Sequence, residues 1–220
     1  MSTQNNQAQR RSWAGAAALA LSLAAAALLL RNVSPAELFN TWRLTRAAGL
    51  VAFALLYLSV AVGLLQSLGV LRGITAPAAT VDVHEHLSLW ALYATAFHAL
   101  ILLWDPYVPF RPAALLLPFA SDYEPAAVAL GVIATYTMLA ATVSSYVRPR
   151  LRPAHWRAVH LLSLAGFLFA LIHGVAIGTD TGRPAVGHLY RFTGLSAGLL
   201  AAWRLFRGVW TLYAHSPGRR

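Results

Sequence analysis

The sequence contains no cysteine and no lysine, and only seven acidic residues among 220. The missing cysteines exclude disulfides, thiolate-held iron–sulfur clusters and the C-x-x-C-H attachment of c-type haem. Any haem would therefore be held by packing and axial bonds alone. Charged side chains make up 11% of the chain, where a soluble domain carries about a quarter. Hydrophobic residues make up 58%, so an integral membrane protein is expected. All 17 basic residues are arginines, and most lie between or beside apolar runs. That placement points to membrane topology and phospholipid contact, not to nucleic acid. There is no G-x-G-x-x-G and no phosphate loop, so no nicotinamide or flavin site is expected.

What is present is a succession of apolar segments. Residues 1–11 are polar and read as a disordered cytoplasmic N-terminus, and 214–220 as a short basic tail. Six spans are predicted between them, at about 12–30, 46–71, 83–104, 126–147, 155–181 and 190–212, each near the ~20 residues a bilayer needs. The first is read as an uncleaved helix, with a signal peptide as the alternative. The sixth is interrupted by Arg204 and Arg207. Residues 113–119 are apolar but too short to span, and read as an interfacial piece. The expected fold class is an all-α integral membrane protein, a six-helix bundle forming one domain over 12–213. No internal sequence repeat stands out. Eleven arginines fall on the side of both termini and six on the other. This predicts a multi-pass protein of the bacterial inner membrane with both termini cytoplasmic.

Histidine carries the chemistry. The third span holds His84 and His98, fourteen residues apart, and the fifth holds His160 and His173, thirteen apart. Both are odd-numbered spans, so they run parallel. Pairing by depth then joins His84 to His160 near the inner surface and His98 to His173 nearer the outer. Imidazoles in hydrocarbon are functional candidates by default, and two pairs at matching depths imply two metal centres, which iron porphyrin suits. A spacing of fourteen keeps both side chains on one face. Thirteen leaves an angular offset that helix tilt or an irregularity near Gly166 must absorb. His86 is the rival to His84. His155, His188 and His215 are read as interfacial or solvated. Trp90, Tyr93, Phe97, Trp156, Phe167 and Phe169 lie near the sites without any one being assigned to a porphyrin.

The paired histidines on the third and fifth of six helices, with the runs H-W-R-A-V-H, L-I-H-G and G-T-D-T, resemble the ferric reductase-like transmembrane domain superfamily, in particular its stand-alone bacterial members. The resemblance covers roughly residues 45–215. It implies two haem b groups, with His84, His98, His160 and His173 as axial ligands. Ferric reductases and NADPH oxidases continue into a flavin- and NADPH-binding module, which this sequence lacks. The expected function is therefore an electron-transfer subunit that passes electrons from an inner haem to an outer one, with no catalytic residue of its own. Its partners would be the lipid bilayer and a separate donor: a flavoprotein, a ferredoxin-like protein or quinol. Arg148, Arg150, Arg152 and Arg157 either steer an acidic donor or only set topology. Arg72, Arg152 and Arg157 either neutralise inner propionates or act as positive-inside signals.

Two readings compete within the resemblance and beyond it. One is a haem subunit serving a periplasmic oxidoreductase, such as a methionine-sulfoxide reductase system. The other is a non-redox membrane scaffold. A transporter or channel is disfavoured, because the apolar cores carry no deep Asp, Glu or Lys.

Overall fold

The computed structural model of the chain describes residues 40–105 and 108–214, with side chains as far as 210. The expected helix at 12–30, the polar stretch 1–11 and His215 lie outside the described residues. Among them the architecture is all-α, with helices α1 (Thr41–Leu68), α2 (Pro77–Ile101), α3 (Pro112–Leu116), α4 (Pro125–Tyr146), α5 (Pro153–Ile177) and α6 (Pro184–Ala214). A 3₁₀ turn, Leu102–Trp104, extends α2, and another, Arg148–Arg150, follows α4.

Local chemistry accounts for most boundaries. Five of the six helices begin on a proline, whose fixed φ suits the first turn and whose missing N–H has no intrahelical partner there in any case. The α1 helix stops at Gly69, which takes φ 75°. The Val70 N–H then donates back to the Leu65 carbonyl at 3.1 Å, the glycine-capped ending expected of a left-handed C-terminal residue. Several expected bounds shift, among them the starts of α2, at Pro77 and not 83, and of α6, at Pro184 and not 190. The α1 helix starts at Thr41, five residues before the apolar run suggested, because nothing in Thr-Trp-Arg-Leu-Thr breaks a helix. The run predicted to reach residue 181 instead leaves the helix at Gly178, where a Cβ would lie 2.2 Å from the Gly174 carbonyl oxygen.

Four helices are long and apolar enough to cross a membrane: α1, α2 with its 3₁₀ extension, α4 and α5. The α6 helix has 31 residues but a lower mean hydropathy and does not join them. The short α3 occupies the apolar patch of the α2–α4 connector.

The two tight pairs are α1 with α2 and α4 with α5. Contacts of α1 with α5 and of α2 with α4 close these hairpins into a ring. The diagonal pairs, α1/α4 and α2/α5, are not packed along their lengths. The α6 helix lies outside the ring against α1, with lighter contact to α5. An aromatic cluster joins it there: Phe53 stacks on Phe167 at 5.7 Å and meets Tyr190 edge-on at 5.0 Å. Phe167 is thus taken up in packing. Trp90, Tyr93 and Phe97 are exposed, the state expected of side chains turned to lipid.

Gly166 sits within an unbroken α5, so no irregularity there absorbs the thirteen-residue offset. Its role is close approach: a Cβ would lie 2.3 Å from Thr137 Oγ1 on α4.

Candidate functional site

The ring places α2 and α5 diagonally opposite and parallel, so their histidines meet across its interior. His98 and His173 have ring centroids 6.4 Å apart at an interplanar angle of 80°. His84 and His160 are 5.9 Å apart at 64°. His86 faces outward, with Nδ1 donating to the Asp82 carbonyl of its own helix at 2.7 Å. It joins neither pair. His155 and His188 are exposed as well.

Three of the four paired rings are held in the same way. His98 Nδ1 lies 2.8 Å from the Thr45 carbonyl oxygen, His84 Nδ1 2.8 Å from that of Ser59, and His173 Nδ1 2.7 Å from that of Ala127. A carbonyl only accepts, so each Nδ1 carries the proton and Nε2 keeps its lone pair. Four residues after each carbonyl comes a glycine. A Cβ on Gly49 would lie 3.0 Å from His98 Cε1, one on Gly63 3.1 Å from His84 Cε1, and one on Gly131 2.9 Å from His173 Cε1. The imidazole edge therefore fills the space a side chain would take, and its N–H reaches a carbonyl one turn away. Hydrogen-bonding the non-ligating nitrogen is how metal-binding histidines are fixed in tautomer and orientation. His84 gains a further neighbour in Ser59 Oγ, 3.2 Å from Nδ1.

His160 is the exception. Its Nδ1 is buried with no hydrogen-bond partner among the described residues. Its ring instead stacks on Trp156, centroids 5.1 Å apart at 26°. The Arg148 guanidinium lies over that indole at 4.2 Å.

Around the His98/His173 pair is a cavity of about 260 Å³, lined by Gly49, Phe53, Leu56, Gly131, Val132 and Met138, among others. Protein interiors hold few voids larger than a water molecule, so a space of this size beside the two rings is a candidate binding space. Arg46, Asp180 and Tyr190 line it too. Arg46 makes a two-pronged ion pair with Asp180, Nη2 to Oδ1 and Nε to Oδ2, and Arg183 Nε reaches Asp180 Oδ1 at 2.9 Å. This clasp ties the first turns of α1 to the α5–α6 loop. It explains the aspartate of the G-T-D-T run, to which the sequence alone assigned no role.

Sequence reasoning missed the three glycines. One signal was available: Gly49 and Gly63 are fourteen residues apart, the interval of His84 and His98. Among the described residues, no group of three or more His, Asp and Glu side chains is placed to cage a metal ion. The imidazoles come in twos.

The fold and site define a class: an all-α protein with four membrane-length helices that brings two histidine pairs together inside one ring. The chain belongs to the family described as "Domain of unknown function (DUF8596)", which matches residues 40–180. That span runs from α1 to Asp180 and includes both histidine pairs and the three glycines. No curated protein and no solved structure matches the chain.

Proposed function

We propose that the protein is a membrane b-type cytochrome, related to the ferric reductase-like domains, that carries electrons across the bilayer. One haem b is held between His84 and His160, and a second between His98 and His173. The observation that carries this reading is the separation of the rings. With metal–nitrogen bonds of about 2.0 Å on each side and a nitrogen about 1.1 Å from its ring centre, two imidazoles sharing one metal from opposite sides would have centroids about 6.2 Å apart. The observed 6.4 and 5.9 Å bracket that span. With two imidazoles per site, a porphyrin would supply the remaining coordination from its own nitrogens. The cavity at the His98/His173 pair supports the same choice.

Bound haem would supply reversible one-electron exchange between ferric and ferrous iron. The chain's own residues do the rest. Three backbone carbonyls hold Nδ1–H and leave Nε2 as the ligand. The glycines set each ring against its helix. The apolar walls exclude water and keep the local dielectric low. Arg46, held by Asp180, is the cation available to a propionate at the outer site. In this reading the segment at 12–30 and α6 complete six spans, and a separate protein or quinol donates the electrons. Around the His84/His160 end lie Arg72, Arg148, Arg150, Arg152, Arg157, Arg204 and Arg207. Arg43, Arg46, Arg111, Arg183 and Arg191 lie at the other end, and three of them are paired with Asp180 or Asp122. The richer end is assigned to the cytoplasm.

A pyridine haemochrome assay on detergent-purified protein tests the reading, with two non-covalent b haems per chain expected. Replacing both His98 and His173 by alanine should leave one haem, as should replacing both His84 and His160. Folded protein containing no haem would end the proposal.

A further inference from the structure

Resting on the two-haem reading, we infer that His160 is an exchangeable ligand. The His84/His160 centre binds a small neutral π-acceptor, carbon monoxide being the probe, in place of His160, and the His98/His173 centre does not. The basis is the missing clamp. Gly63 follows Gly49 by fourteen residues, and fourteen residues after Gly131 stands Ser145. The carbonyl one turn before it, that of Ala141, already accepts from Ser144 Oγ at 2.8 Å and from Ser145 Oγ at 3.0 Å. The other three rings meet a helix carbonyl that no side-chain hydroxyl takes and a bare glycine beyond it, whereas the matching interval on α4 carries a serine and a carbonyl that two hydroxyls already take.

Spacing adds to the difference. At ~100° per residue, fourteen residues turn a side chain by about 40°, whereas thirteen turn it by about 140°. The unbroken α5 therefore cannot aim both of its histidines at α4 as α1 receives both of those on α2. What holds His160 is the Trp156 stack. A stack sets the plane of a ring but, unlike an N–H···O=C bond, does not select which nitrogen carries the proton. Both partners lie in the first turns of α5, beside the exposed Arg157, so the freed neutral imidazole can withdraw with Trp156 towards that end. In the exchange the iron–Nε2 bond breaks and an iron–carbon bond forms. No electron or proton is transferred.

The experiment is a carbon monoxide titration of the dithionite-reduced full chain, followed by Soret difference spectra beside a haemochrome count. One of two haems should respond. The response should persist at full amplitude in His98→Ala/His173→Ala and vanish in His84→Ala/His160→Ala. Trp156→Leu should tighten apparent binding by about two- to tenfold, the worth of one aromatic stack. Two haems with no response at saturating carbon monoxide, or with both responding, would overturn the inference and leave the two-haem reading standing. Those outcomes need only the unmodified protein. A response confined to His84→Ala/His160→Ala would overturn it as well. Absence of haem would remove the underlying reading instead.

Discussion

Adding one methyl group at Gly131 tests the histidine clamp most directly. In Gly131→Ala the new Cβ would lie 2.9 Å from His173 Cε1 and 3.0 Å from its Nδ1. Carbon atoms pack at about 3.5–4.0 Å, so the ring must retreat by roughly 0.5–1 Å. The Nδ1–H bond to Ala127, 2.7 Å long, would then open to about 3.2–3.7 Å, at or beyond the limit of a hydrogen bond. Leaving a buried donor unpaired costs about 1–3 kcal/mol, and overpacking costs a similar amount. Alanine returns up to ~1 kcal/mol through its better helix propensity. The net expectation is a loss of about 1–5 kcal/mol, at roughly 2–4 °C of apparent melting temperature per kcal/mol for a chain of this size. Loss of an orienting partner also weakens metal binding by about 10–100-fold. The assay compares melting and haem retention in one detergent at one scan rate, with Gly198→Ala as the control. A Cβ on Gly198 meets nothing within 4 Å, so that variant should be neutral or slightly stabilised. If Gly131→Ala behaves like Gly198→Ala in both readouts, the clamp has no energetic content and the reasoning fails.

Asp180→Asn should destabilise the fold by about 1–3 kcal/mol, because it leaves the partly buried Arg46 without its charge partner. In thermal melts, Arg46→Gln added to Asp180→Asn should cost less than the sum of the two single changes, and strict additivity would show that the ion pair couples nothing. Reporter insertions after Gly73 and Arg152 should read as cytoplasmic, and insertions after Asp122 and Gly182 as external. If Gly73 and Asp122 report the same side, α2 does not span.

The apolar runs, the prolines that open five helices and the four histidines at two depths are legible one residue at a time. Each depends on composition and interval along one chain. The clamp is not. Whether a glycine receives an imidazole depends on which helices become neighbours, and α1 pairs with α2, and α4 with α5, through surfaces whose fit no single helix reveals. The choice of His84 over His86 was open to spacing, since fourteen residues to His98 keep one face of the helix and twelve do not. What needed the ring of helices was the acceptor of each imidazole: His84 Nδ1 reaches the Ser59 carbonyl of α1 while His86 bonds back to its own helix. Asp180 reads in sequence as a loop residue. Folding brings it 134 positions back to Arg46, where a carboxylate and a guanidinium removed from most of the solvent find each other. Apolar periodicity is local, so the sequence by itself determined the helices and the depths of their histidines. Only tertiary packing decided that three of those rings would reach a backbone carbonyl and that the Nδ1 of the fourth would find none, because that depends on the register between helices.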